Sequence, residues 1–81
     1  EVVTWLPNSV LVYQNRVLGQ LEVARDLEYL MVRAELMNAA GDVCESAFDH
    51  ALDLKQGQRW SFEVPAEGCS IERVLLYAKH F

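Results

Sequence analysis

Asp49, His50 and Asp53 form the densest group of side chains that could bind a metal ion or transfer a proton. Histidine and carboxylate side chains are common ligands of zinc. In an extended strand Asp49 and His50 point to opposite faces, whereas in a helix Asp49 and Asp53 would share a face. No recognised metal-ligand spacing surrounds His50 or the second histidine, His80. We therefore interpret the group as solvated surface and expect neither a metal site nor a cofactor.

Nucleophilic catalysis needs a serine or cysteine beside a base and an oxyanion site. The serines lie in turn-like or alternating positions, and Cys69 has no histidine near it in the sequence. The glycines are isolated from one another, so they do not form a phosphate-binding loop. We expect that the protein is not an enzyme.

Cys44 and Cys69 are the only cysteines, and the sequence leaves open whether they form a disulfide. An even number of cysteines favours pairing in an oxidising compartment. Such a bond would stabilise the fold by about 3 kcal/mol on the chain-entropy model. The alternative is two separate, partly buried thiols that pack as small apolar residues.

The elements that must position these groups show their clearest pattern in two stretches, LMVRAEL and RWSFEV. In each stretch apolar residues occupy every second position, which is the period of a half-buried strand. The apolar positions are Leu30, Val32, Ala34 and Leu36 in the first stretch, and Trp60, Phe62 and Val64 in the second. We expect Val32, Leu36, Trp60, Phe62 and Val64 to form the structural core of an antiparallel sheet whose apolar face is covered by a second sheet.

Turn-forming residues separate the strand-like stretches. The side chain of Asn38 can hydrogen-bond its own backbone, and Gly41 and Gly57 can adopt positive φ. The breakers leave short segments, many of them rich in Val, Tyr, Trp, Phe or Leu: EVVTWL, VLVYQNRVL, GQLEVAR, LEYLMVRAELM, VCESAFDHALDL, RWSFEV and IERVLLYAKHF. This spacing predicts a single all-β domain over residues 1–81, an immunoglobulin-like antiparallel β-sandwich of about seven strands.

A helical alternative competes in two ranges. Residues 20–39 contain many good helix formers, with Gly41 just beyond as a C-cap, and residues 70–81 can be drawn as an amphipathic helix. That alternative is a small α+β regulatory or ligand-binding domain. The strict alternation from Leu30 to Leu36 favours strands instead.

The aromatic residues could form a ligand-binding platform or contribute to the core. They are Trp5, Tyr13, Tyr29, Phe48, Trp60, Phe62, Tyr77 and Phe81. We interpret them as core, because aromatic side chains bury large areas and dominate the stability of small domains.

The net charge of -5 disfavours binding to nucleic acids, whose phosphates it repels. The cations are scattered singly along the chain. No apolar run approaches the roughly 20 residues needed to cross a bilayer, so we do not expect this segment to insert into a membrane. The chain begins at Glu1 rather than methionine, as expected of a processed chain or a segment of a longer protein.

The order of residues over about 17–77 resembles that of an FxLYD-type domain. The matching elements are Gly19 to Ala24, Arg25 to Glu28, Ala34 to Asn38, Gly41 to Val43 and Leu54 to Phe62. The motif that names the family, Phe-x-Leu-Tyr-Asp, is degenerate. Ala34, Met37 and Asn38 stand where the phenylalanine, tyrosine and aspartate would be.

The resemblance implies a small immunoglobulin-like β-sandwich from a bacterial exported or envelope-associated protein, without known catalytic machinery. We therefore expect a non-catalytic accessory or protein-interaction module that presents an edge strand or a loop surface to a protein partner, or associates with itself through an edge strand. The expected location is extracytoplasmic or in the cell envelope, and a cytoplasmic location is the alternative.

Overall fold

The computed structural model of the protein describes residues 2–81, and every regular element within them is a β-strand. The strands are β1 (Val3–Trp5), β2 (Leu11–Tyr13), β3 (Arg16–Val23), β4 (Leu27–Met37), β5 (Val43–Leu54), β6 (Arg59–Pro65) and β7 (Arg73–His80). The prediction of an all-β fold of about seven strands is confirmed.

The helical alternative is wrong, because residues 20–39 belong largely to β3 and β4 and residues 70–81 contain β7. Helix-forming residues such as Leu, Glu and Met in β4 adopt the strand conformation because alternate positions are buried against the opposite sheet. Such tertiary burial outweighs an intrinsic helix propensity of a few tenths of a kcal/mol per residue.

The strands form two antiparallel sheets. In sheet A, β3 pairs with β6 along one side and with both β1 and β2 along the other. In sheet B, β4 lies between β5 and β7. The two stretches with the strongest alternation, β4 and β6, therefore lie in different sheets.

The core lies between the two sheets. Every second residue of β4 from Leu30 to Leu36 is fully buried, and so are Phe62 and Val64 of β6. Trp60 is partly buried and packs against the core from its margin. Leu76 of β7 contacts both clusters of buried residues, which joins them into one apolar layer.

Gly19 and Phe62 fit together at the centre of sheet A, where they are cross-strand partners. A Cβ atom added at Gly19 would lie 3.0 Å from two ring carbons of Phe62 and closer still to its ring tip. Phe62 is only 1% exposed, so its ring has little room to move. The absence of a side chain at Gly19 therefore lets the Phe62 ring lie against the β3 backbone.

The β4–β5 turn contains the residues that the sequence marked as turn formers. The Asn38 Oδ1 atom accepts hydrogen bonds from the amides of Ala40 at 3.0 Å and Asp42 at 3.1 Å. Gly41 has φ +86°, and Gly57, between β5 and β6, has φ +83°. Both values lie in the left-handed region that favours glycine.

The sequence pattern missed one turn. The segment VLVYQNRVL is divided into β2 and β3 by a two-residue hairpin turn at Gln14 and Asn15, with φ 48° and 62°. Gln is not a residue that marks such a turn in a sequence, which is why the segment looked continuous.

Cys44 and Cys69 form a disulfide, with Cα atoms 5.7 Å apart. Cys44 lies at the start of β5, where a β-bulge displaces the pairing with β4, and Cys69 lies between β6 and β7. The bond therefore attaches the β6–β7 connection to the beginning of β5.

Candidate interaction surface

Asp49, His50 and Asp53 lie in different local environments in the structure. The Asp49 carboxylate accepts hydrogen bonds from the backbone amides of His50 at 2.8 Å and Glu63 at 2.9 Å. The His50 ring instead stacks on Tyr29, with 5.8 Å between ring centroids. Asp53 has φ 54°, in the left-handed region. Within residues 2–81 no group of three or more His, Cys, Asp or Glu residues is arranged to hold a metal ion.

Along β3 and β6, the outer face of sheet A carries polar side chains that pair with one another across the strands. Arg16 and Glu63 form an ion pair at 2.7 Å, and Arg59 and Glu22 form one at 3.4 Å. Between them, the amide of Gln20 donates a hydrogen bond to the Ser61 hydroxyl at 2.9 Å. Many polar side chains on this face therefore have their ion-pair or hydrogen-bond partners on the same face.

The outer face of sheet B is different, because aromatic and apolar side chains occupy many of its outward positions. Those positions alternate with the buried residues of β4 and face the same side on β5 and β7. We call the following residues the aromatic face: Tyr29, Met31, Arg33, Phe48, His50, Leu52, Tyr77, Lys79 and Phe81.

The aromatic face is organised in rows across the sheet. In one row Arg33 lies between Phe48 of β5 and Tyr77 of β7. The Arg33 guanidinium carbon is 5.9 Å from the centroid of the Tyr77 ring, in cation–π range. Lys79 lies over the ring of Phe81, two residues further along the chain, with its Nζ atom 5.2 Å from the ring centroid. Strand register therefore places Arg33 beside Tyr77, and the alternation along one segment places Lys79 beside Phe81.

The aromatic side chains at the end of this face also support one another. The Tyr29 ring lies 5.4 Å from Phe81 and 5.8 Å from His50, measured between centroids. Mutual contact limits the rotamers of these rings before any partner binds, which lowers the entropy lost on binding.

Solvent reaches the large side chains of this surface. Phe48 is 59% exposed, Leu52 62% and Phe81 69%. A shallow depression of about 490 Å³ lies between β4 and β7 on this sheet, lined by Met31, Arg33, Glu35, Tyr77, Ala78 and Lys79. Contiguous exposed apolar surface of this kind is typical of a protein interaction site.

The charge of this outer face contrasts with the charge of the whole chain. Arg33, Arg73 and Lys79 are at outward positions of sheet B, and Glu35 is the carboxylate beside them. Arg33 pairs with Glu35 at 3.5 Å. In a chain of net charge -5, the face is therefore locally cationic.

Glu35 also acts on Tyr77. A hydrogen bond between their side chains and the negative charge of Glu35 raise the pKa of Tyr77, with a smaller contribution from burial, and the Arg33 charge opposes the shift. Arg33, Glu35 and Tyr77 therefore form one coupled polar group at the centre of an otherwise apolar surface.

The interpretation of all the aromatic residues as core is wrong for several of them. Phe62 is buried, but Tyr13, Phe48, Tyr77 and Phe81 are exposed. Part of the signal was present in the sequence, since Tyr29 and Met31 are out of step with the buried positions of β4. The sequence could not show that β5 and β7 place Phe48 and Tyr77 on either side of Arg33.

A second exposed apolar segment lies on sheet A. Val10 and the three residues of β2 are all exposed, although β2 is paired to β3. The segment is short and is separated from the aromatic face by the strand order of the two sheets.

Comparison of the chain with models of known protein families, with characterised proteins and with solved structures gave no significant match. No helix within residues 2–81 is both long enough and apolar enough to span a membrane.

Proposed function

We propose that the protein is a non-catalytic protein-interaction module that binds its partner through the aromatic face. The observation that carries this proposal is the difference between the two outer faces. Along β3 and β6, sheet A pairs its outward polar side chains with one another, and its exposed apolar residues are confined to the short β2 edge, whereas sheet B leaves Phe48, Tyr77 and Phe81 accessible to solvent on both sides of β4.

The composition of the aromatic face supports a protein partner. Tyrosine and arginine are enriched among the residues that contribute most to the free energy of protein binding, and both are central here as Arg33 and Tyr77. Arg33 and Tyr77 lie on two paired strands, β4 and β7, which hold them more rigidly than loops would.

We also propose that the fold has an immunoglobulin-like topology. In such folds the second strand, B, pairs with A and E, and strand C pairs with F. The pairings of β3 with β1 and β6, and of β4 with β7, support this assignment. The position of β5 beside β4 then corresponds to strand C′ of the variable type.

We further propose that the protein works in an extracytoplasmic or envelope compartment of a bacterium, as the FxLYD resemblance implies. The Cys44–Cys69 disulfide supports an oxidising location, because cytosolic thiols are kept reduced.

The test is a selection of random linear peptides displayed on phage against the immobilised chain. We expect enriched peptides whose binding is lost in a Phe48→Ser/Tyr77→Ser variant and retained in a Gln20→Ala/Ser61→Ala variant of sheet A. Circular dichroism confirms that both variants are folded. A selection without binders, or binders indifferent to the first variant, contradicts the proposal. Binding of single-stranded oligo(dT) that depends on Phe48 and Tyr77 would assign the face to nucleic acid instead.

A further inference from the structure

We infer that the free edge of β7 accepts an added strand from a partner protein, and that this strand alternates apolar and acidic side chains. The inference rests on the proposed function, because β7 forms one border of the aromatic face. It specifies which strand edge the partner binds and which types of side chain the partner's strand carries.

The backbone of β7 has one side paired and one side open. The Phe81 amide donates a hydrogen bond to the Tyr29 carbonyl at 3.3 Å. Because hydrogen-bonded positions alternate along an antiparallel ladder, Tyr77 and Lys79, which are in step with Phe81, direct their backbone groups toward β4. Leu76 and Ala78 direct theirs away from the sheet.

No other strand of residues 2–81 pairs with this side of β7. In the same part of the chain, no side chain hydrogen-bonds to the β7 backbone. An edge strand with unpaired N–H and C=O groups is a template for an added strand.

The opposite border of sheet B, formed by β5, is attached to β6 of sheet A by a side chain. Asp49 accepts the backbone amide of His50 on β5 and the amide of Glu63 on β6, so one carboxylate caps backbone donors of both strands. The corresponding border of sheet A is divided between β1 and β2, two short strands separated by Pro7. In the described part of the chain, the edge of β7 has no such cap and is longer than β1 or β2.

The proposed immunoglobulin-like topology also favours an added strand at the open edge of β7. If β4 and β7 are strands C and F of an immunoglobulin-like fold, the next strand, G, pairs with F on the side away from C. That is the side of β7 that is open here. An added strand would complete the three-strand order that such folds use.

The side chains of β7 specify which strand fits. On the inner side, Val74, Leu76 and Ala78 are only partly buried, so apolar residues of an added strand would cover them. On the outer side, Arg73 and Lys79 favour acidic residues, since opposite charges on neighbouring strands stabilise a sheet. β7 itself contains no carboxylate, so a second copy of β7 does not supply these acids.

The test uses a fluorescein-labelled peptide of alternating isoleucine and glutamate, equal in length to β7, and fluorescence anisotropy to measure its affinity for the chain. Matched peptides replace glutamate with lysine or isoleucine with serine. We expect binding of the first peptide and loss of binding for both others. Arg73→Glu/Lys79→Glu should weaken binding by about tenfold and improve binding of the lysine peptide, because two favourable cross-strand pairs become repulsive.

Two further measurements locate the added strand. Ala78→Pro removes a backbone donor that points to the open edge, where proline is tolerated, and should weaken binding, whereas Ala78→Val should not. Amide hydrogen exchange followed by NMR should show that the isoleucine–glutamate peptide protects Leu76 and Ala78. This measurement needs no variant and therefore does not depend on the folding of Ala78→Pro.

The outcomes separate the two proposals. Peptide binding that requires Phe48 and Tyr77 but leaves the β7 amides unprotected overturns the added strand and keeps the aromatic face as the binding site. Protection of these amides that depends on protein concentration, without peptide, overturns the inference in favour of a second copy. Peptide binding that is unchanged in the Phe48→Ser/Tyr77→Ser variant contradicts the proposed function.

Discussion

Asp49 of β5 and Glu63 of β6 join the two sheets at one margin of the sandwich, because the Asp49 carboxylate accepts the Glu63 backbone amide at 2.9 Å. The same carboxylate accepts the amide of His50 at 2.8 Å. A side chain that could be taken for a metal ligand in the sequence thus caps two backbone donors, one in each sheet. This margin is therefore held by a side chain, whereas no side chain within residues 2–81 hydrogen-bonds to the backbone of β7.

Replacement of Asp49 by alanine should lower the free energy of unfolding by about 1–3 kcal/mol, because two backbone amides lose their acceptor. Asp49→Asn keeps one acceptor oxygen and should lower the free energy of unfolding by a smaller amount. Urea denaturation measures both, with Asp53→Asn as the control that leaves the free energy unchanged. Equal stability of Asp49→Ala and the parent would show that water replaces the carboxylate without cost.

Gly19→Ala should destabilise the fold by roughly 1–3 kcal/mol, since the added Cβ overlaps the buried Phe62 ring. Combining it with Phe62→Leu should recover part of the loss relative to the sum of the single changes. Thermal denaturation of the four proteins of this double-mutant cycle gives the coupling. Strict additivity would mean that the ring does not oppose the new methyl group.

Phe48 and Phe62 should differ in their effect on stability although both are phenylalanines in strands. Phe62→Ala should cost about 3–5 kcal/mol because it empties a buried site. Phe48→Ser should change stability by no more than about 0.5 kcal/mol, as is usual for exposed positions. Chemical denaturation compares them, and a large loss for Phe48→Ser would indicate a structural role for the aromatic face.

Removal of the Cys44–Cys69 bond should lower stability by about 3 kcal/mol, because it frees a loop in the unfolded chain. The measurement is the urea midpoint of the parent with and without dithiothreitol. A Cys44→Ser/Cys69→Ser variant should match the reduced parent and should not respond to the reductant. A parent whose midpoint is insensitive to reduction would contradict this prediction.

The pKa of Tyr77 should fall toward its ordinary value of 10.0 in a Glu35→Gln variant, because the hydrogen bond to a carboxylate and its charge raise the pKa in the parent. Ultraviolet absorption of the phenolate against pH measures it, with a Tyr77→Phe variant to assign the signal.

The raised pKa of Tyr77 also makes the free energy of unfolding depend on pH. Because the folded state favours the protonated phenol, this contribution is present below pH 10.0, the ordinary pKa, and is lost as the pH rises through the raised value. Glu35→Gln should therefore flatten the alkaline loss of stability. A steeper loss of stability in that variant would contradict the assignment of Glu35 as the cause of the raised pKa.

Local patterns in the sequence determined the strands and several turns. Residues Leu30 to Leu36 alternate with period two, and burying one side of such a segment requires an extended backbone, so the strand follows from the order of residues alone. Asn38, Gly41 and Gly57 could be assigned to turns because their side chains, or the lack of one, set the backbone locally.

Pairing between strands distant in the sequence was decided only by the tertiary structure. Phe48, Arg33 and Tyr77 form one row because β5 and β7 pair with β4 in a particular register. Cys44 and Cys69 meet because the folded connections bring them together. A strand's own alternation defines its two faces, but which strands lie beside it depends on how both sheets pack over one core, and that is a property of the whole chain.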